Sequence, residues 1–536
     1  MRSRVVGPLI CVLIVSAIWC AGVAAQPAVP SQELPAGAEV LNRGPVNEAF
    51  AEPVSEGDQT GLVAPREPPA NIDEFPPEER PAGSDYIWVP GYWSWDSDRD
   101  DFIWVGACWR AAPSKMYWVP GYWTPVAEGW EWVPGFWTRV GKREIEYLPA
   151  PPDPEEIEAS GSPPGPDDLW VPGCWYWSRN KYVFRPGYWL PARAGWVWTP
   201  SHYSWTPRGY VFIEGYWDYA FDDRGVLFAP IYFPPSVYAN AGFSFSPEVV
   251  VDLGAITFSL FAYPRYCHYF FGDFYDDNYV RVGIYPLFDV DRFHTWYDPV
   301  FVYNRWHSRR SDPQWDEHER EGYDRMRRNR DARPPRTYRE LQTRVASVPE
   351  PQRRDIELVR PLQAIVTQKS APIRFERMSP EARQQTATSG SEIHRFRTAR
   401  GKWEAPAGQP SPPAKGIPPG RTERGTPPAA RPEATPPART EATPPARPET
   451  PRETRAPSGT SHQAPESPPS APARHEVRMT KPERVKVQPP QPPRAVTKER
   501  GKSQEPQRAA PPSAPKQERK TQGKRTQQPQ QKQRGK

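Results

Sequence analysis

The pattern of large apolar and polar positions changes character several times along the chain. Between about residues 84 and 235 it is dominated by aromatic residues two positions apart, each short apolar run closing on a polar or glycine-containing stretch. Trp88-Val89-Pro90-Gly91-Tyr92-Trp93 returns as Trp118–Trp123, Trp132–Trp137 and Trp170–Trp175. Looser copies begin at Trp104, Phe184, Trp198, Phe212 and Phe228, so successive units start 16, 14, 14, 38, 14, 14, 14 and 16 residues apart. A fixed short period is the mark of a repeat architecture. Aromatic and β-branched residues in period two predict a strand in each unit. The runs Asp96–Asp101, Thr124–Gly129, Thr138–Lys142, Pro191–Gly195, Thr206–Gly209 and Asp222–Gly225 predict the turns. The expected fold is an all-β repeat head, an aromatic-rich antiparallel meander of short hairpin strands.

Pro-Gly inside a strand marks an edge, a bulge or a turn, because proline cannot donate to the ladder. The favoured expectation is a β-bulge at Pro90-Gly91, which would bring Trp88 and Trp93 to one face. The alternative is a type II turn over Val-Pro-Gly-Tyr.

Outside the repeats the pattern weakens. Residues 1–25 hold Arg2 and Arg4, an apolar run and Ala24-Ala25, which predicts a cleaved secretory signal; the alternative is a retained anchor. Residues 26–83 are rich in Pro, Glu and Ala and are expected to be a disordered linker. The repeats divide into blocks at 84–146 and 169–235, separated by a Pro-rich acidic spacer at 147–168. The segment 236–306 stays aromatic without the period and is expected to extend or cap the β layer, with strands at Val249–Val251, Ile256–Phe261 and Tyr266–Phe271. The charged segment 307–400 predicts a minor helix within 308–345 and a second helix starting at Ser379 with Pro380 in its first turn. Residues 401–536 form a Pro-rich basic tail expected to stay extended.

Charge sharpens this division. The tail carries 27 Lys and Arg against 12 Glu, a net +15, whereas the whole chain is +5, so the remainder is about −10. Such a tail could hold nucleic acid, but an exported address favours anionic envelope polymers, acidic proteins or lipid head groups; the alternative is a solubilising spacer. No later stretch is apolar enough to span a membrane once the signal is removed.

The pattern Trp-x-x-Gly-x-Trp resembles the YXWGXW (WxxGxW) repeat family. The residues that carry the resemblance are Trp88, Gly91 and Trp93; Trp118, Gly121 and Trp123; Trp132, Gly135 and Trp137; and Trp170, Gly173 and Trp175. It is relaxed at Gly187/Trp189 and Gly215/Trp217 and fails at Trp104, Trp198 and Phe228. The resemblance implies a bacterial exported protein and brings no activity, cofactor or functional residue with it.

Candidate chemistry is sparse. Cys108 and Cys174 occupy the same repeat position, and an oxidising compartment makes them candidates for a disulfide between the blocks; the alternative is that each is a small substitute for Tyr. Asp96, Asp98, Asp100 and Asp101 share one turn, but lack the Gly and closing Glu of a calcium loop. His268, Asp273, Asp276, Asp277, Asp289, Asp291 and His294 follow no metal-binding spacing. No nucleophile elbow, zinc-protease helix, phosphate loop or dinucleotide fingerprint occurs. No catalytic, metal or cofactor site is therefore expected.

Eighteen of the 23 Trp fall between Trp88 and Trp217. They are expected mainly to form the core; an exposed row such as Trp130, Trp132, Trp196 and Trp198 would instead make a polysaccharide platform. The first functional expectation is an exported, non-enzymatic structural or interaction protein of the cell envelope. The second is a carbohydrate-binding module, and the least favoured is a hydrolase with its site in 236–306.

Overall fold

The computed structural model describes residues 34–54, 62–142, 144–153, 159, 161–240, 242–289, 297–368, 373–405 and 482–487. The signal-peptide and anchor expectations, and most of the tail, lie outside these residues. No helix among them is long and apolar enough to cross a membrane.

The repeat units pair two by two. Tyr86–Val89 lies antiparallel to Cys108–Ala111, and Tyr92–Asp96 to Asp101–Val105, so units one and two form one long hairpin with an outer and an inner arm. The second hairpin pairs Met116–Val119 with Phe136–Arg139 and Tyr122–Val126 with Gly129–Val133. The third pairs Asp168–Val171 with Tyr188–Pro191 and Cys174–Ser178 with Lys181–Arg185. The fourth pairs Trp196–Thr199 with Tyr216–Tyr219 and His202–Thr206 with Gly209–Ile213. Tip chemistry fits the turns: Arg179 and Asn180 both adopt left-handed conformations, φ 52° and 62°, as a two-residue type I′ loop requires.

The expected bulge does not form. Trp88 faces Trp109 and Trp93 faces Trp104, with Pro90-Gly91 lying against Gly106-Ala107. Two residues oppose two, so the register passes through the interruption without slipping. The ladder breaks there because Pro90 has no N–H to give, and the two arms enter different sheets. The rings consequently do not share one face. Trp88 and Trp109 pack with Phe228, Val250 and Leu362, whereas Trp93 and Trp104 enter the main core. The repeat head is the expected aromatic-rich all-β array of short antiparallel hairpins, each one bent at the kink between its arms.

Short strands from elsewhere extend these ribbons. Gly225–Leu227, in the ninth unit, joins the outer arm of the first hairpin. Val63–Ala64 joins the inner arm of the second. Glu144–Leu148, which includes the start of the expected spacer, joins the fourth.

The linker expectation fails for the described parts of 26–83. Asn42, Val46, Asn47, Glu48, Ala49 and Phe50 are buried, and Glu39–Val40, Gly44–Pro45 and Glu79–Pro81 pair with strands far along the chain. The segment is polar because its side chains satisfy backbone groups inside the head. The tail also departs from expectation at one place, where Glu483–Lys486 pairs with Glu144–Leu148.

Strands occur at Val249–Val251 and His268–Phe271 as expected, but Ile256–Phe261 is divided among a helix end, a 3-10 turn and the start of Leu260–Tyr263. Helices form at Pro299–Arg309, Trp315–Arg328 and Tyr338–Val345. The helix Pro380–Glu404 begins as its sequence indicates, with the Ser379 side chain accepting from Ala382 N.

Candidate functional site: the kinks of the paired repeats

Each Trp-x-x-Gly is explained by the partner unit. A Cβ built on Gly135 would lie 2.3 Å from Cζ2 of Trp118, and one on Gly121 2.5 Å from Cζ2 of Trp132. The same holds for Gly187 under Trp170 and Gly173 under Phe184, at 2.3 and 2.4 Å. At Gly91 the ring of Trp104 and the carbonyl of Val105 occupy that space. None of these glycines has a positive φ. The residue is needed for room, because the first aromatic ring of one unit lies on the backbone of the other.

A kink that breaks the ladder leaves backbone donors and acceptors open, and burying them unpaired is costly. In the first hairpin Glu74 closes it. Gly91 N and Ala107 N donate to its two oxygens at 2.8 and 3.2 Å, and Trp104 Nε1 donates at 3.2 Å. Asn47 donates to Gly106 O, and Arg397 to Gly91 O. In the second hairpin Glu48 has the same place: Trp132 Nε1 donates at 2.6 Å and Gly135 N at 3.2 Å. Arg400 Nη1 donates to Pro120 O at 3.0 Å and Pro134 O at 2.8 Å. The fourth hairpin has Phe212 where the first two have the donor indole, and a hydroxyl replaces the carboxylate: Gly215 N donates to Ser201 Oγ at 2.9 Å.

These plugs are buried and electrostatically loaded. Burial pushes the Glu48 carboxyl up to about 8 and that of Glu74 up to about 7, against the lowering effect of their hydrogen bonds. His268, fully buried, is held down at about 3. Its Nδ1 faces Tyr266 O at 2.7 Å, so that nitrogen carries the hydrogen. Nε2 then accepts from Tyr92 OH at 2.6 Å, and Tyr92 OH in turn accepts from Glu48 N. Arg400 is paired with Glu404 at 3.0 Å, and Glu404 accepts from Tyr122 OH and Tyr147 OH. This chain of acid, phenol and imidazole is shut away from solvent, and neither described cavity is lined by Glu48 or His268. It holds the ribbons together.

Other residues singled out in the sequence fall apart. No disulfide joins Cys108 to Cys174. Cys108 is buried in the first hairpin opposite Val89 and Leu227, and Cys174 stands opposite Arg185 in the third. Equivalent positions in different hairpins are not neighbours, which is why the shared repeat position misled. Asp98 pairs with Arg43 and Arg336, and Asp273 with Arg333 and Arg336. Asp276 pairs with Arg330 and Arg333, and Asp277 with Arg327. Asp291 and His294 lie outside the described residues. Of the suggested sugar platform, Trp132 and Trp198 are buried, while Trp130 and Trp196 are half-buried.

The third hairpin is the exception to this enclosure. Val171 and Leu190 pack on Trp198 and Trp217 of the fourth hairpin. Trp170, Trp175, Trp177, Phe184 and Trp189 all remain half-buried, and Arg185 stacks over Tyr176 at 3.8 Å.

Fold and kink geometry thus define a β protein assembled from paired Trp-Gly units. The model of the WXXGXW repeat (2 copies) matches residues 83–110, 99–124, 116–138, 169–189 and 193–218. The chain carries WXXGXW repeats, and four of those five segments coincide with one bent hairpin each, so the two-copy unit is the hairpin itself. No characterised protein and no solved structure matches the chain.

Proposed function

We propose that this is an exported, non-enzymatic structural or interaction protein of the bacterial cell envelope, whose aromatic repeat head makes contacts and whose basic tail tethers it. The observation that carries this reading is the use made of its buried titratable groups. Glu48, Glu74, His268 and Arg400 are all engaged in closing or bracing hairpin kinks. The charge asymmetry between head and tail supports the tether, and the apolar run after Arg4 supports export.

The test is co-sedimentation of the full chain with isolated bacterial envelopes. The protein pellets at low salt, is released as salt screens the tail, and stays in the supernatant when residues 488–536 are deleted. Failure to pellet at low salt overturns the reading.

A second reading, carbohydrate binding by an aromatic row, is favoured by the half-buried rings of the third hairpin alone. It requires retention on an insoluble polysaccharide that resists high salt and is lost in Trp175→Ala.

A further inference from the structure

The turn Asp96–Asp101 of the first hairpin borders a cavity of about 250 Å³ that has no part in the kinks. Its walls include Trp95, Tyr263 and Phe270, and its mouth includes Asp98, Asn278 and Val282. The residues come from four distant parts of the sequence, so only the folded head assembles it. Ligand sites are concave and mostly apolar, with a few placed polar groups; this volume suits one ring.

The electrostatics narrow the ligand. Arg43 already fills the cation position among the aromatic rings, its guanidinium 4.1 Å from the Phe274 centroid. Arg43 Nη1 and Arg336 Nη1 reach Oδ2 of Asp98 at 2.9 and 3.2 Å, and Tyr279 OH donates to the same oxygen at 2.5 Å. An incoming cation would find its counter-charge taken, and an anion would meet Asp96 and Asp98. All three donors converge on Oδ2. Among the described residues no donor reaches Oδ1, which is left to accept a hydrogen bond from a neutral hydroxyl.

We propose that this cavity is a saccharide subsite. It takes one neutral sugar ring, with the apolar face of the ring against Trp95, Tyr263 and Phe270 and a hydroxyl donating to Oδ1 of Asp98. Aromatic faces suit the C–H side of a pyranose, and the carboxylate and the Asn278 amide suit its hydroxyls. The site is remote in sequence from the third hairpin and does not depend on the tail, so it stands or falls apart from the envelope tether.

Saturation-transfer NMR on the full chain tests it, with glucose, galactose, mannose and N-acetylglucosamine each added at millimolar concentration. At least one sugar receives saturation at its ring C–H protons. Val282 is 55 % exposed at the mouth, so Val282→Trp blocks entry without touching the core and abolishes the transfer. Val140→Trp, at an exposed site in another loop, preserves it. Asp98→Asn, which also takes the counter-charge from Arg43 and Arg336, weakens binding at least tenfold. Absence of transfer from all four sugars, or full transfer in Val282→Trp, overturns the proposal.

Discussion

Glu48 illustrates how a single residue can decide both packing and pH response. It is a polar residue in a polar stretch, yet it is buried and accepts from an indole and a backbone N–H of the second hairpin. Its carboxyl titrates near 8 when folded and at 4.5 by its ordinary value. A raised acid binds a proton more tightly in the folded state, so its contribution is complete below pH 4.5 and is lost as pH rises through 8. Glu74 acts in the same direction, with a folded value of about 7. Buried His202 and His268, held near 4 and 3, oppose this only below the ordinary histidine value of 6.5. Stability therefore falls between about pH 6.5 and 8, and Glu48 alone accounts for about 2 kcal/mol of that fall. In Glu48→Gln the urea midpoint declines less over this interval; an unchanged decline would assign the slope to other groups.

At the scale of elements, the strands were legible and the way they join was not. Aromatic residues in period two announced each strand, and the polar runs announced the turns, including the Arg179-Asn180 tip. Ser379-Pro380 marked a helix start. The kink was misread because Pro-Gly permits a bulge, a turn or a bend, and the choice depends on what lies across the ladder. There Trp104 and Val105 fill the space over Gly91, which only the pairing of units reveals. The helix Pro380–Glu404 hid its role for a related reason. Its buried face contains Arg383, Arg397, Arg400 and Glu404 beside Ala387, Ile393 and Phe396, so it has no apolar stripe to recognise. Polar residues face inward because the kinks offer bare carbonyls. Arg400→Met leaves Glu404 as an unpaired buried charge and two proline carbonyls without a donor. It should cost about 3–5 kcal/mol in urea denaturation, with part recovered by adding Glu404→Gln. A cost below about 1 kcal/mol would mean that the helix rests only loosely on the second hairpin.

Across the whole molecule, the repeat cannot be separated from its surroundings. Both ends of the described chain return to it: Asn47, Glu48 and Glu74 from before the repeats, and Arg397 and Arg400 from after them. Composition cannot report such long-range partners, which explains why residues 34–54 and 62–83 read as linker. The strand Glu483–Lys486 extends this principle into the tail. Arg208 pairs with Glu483 and Arg484 with Glu146, and Val487 is buried. Ending the chain at residue 405 should raise deuterium uptake over residues 144–148 and lower stability by about 1–2 kcal/mol, the burial of one or two valines. Unaltered uptake there would show that the tail strand is not held in solution.

The pairing of units, with a ring of one lying on the glycine of the other, is open to a double-mutant cycle between Gly135→Ala and Trp118→Val. The added methyl meets the Trp118 ring and costs about 3 kcal/mol in the parent chain. With that ring removed, the same substitution costs at most half as much, a coupling above about 1 kcal/mol. Costs that add to within about 0.5 kcal/mol would contradict the paired-hairpin account.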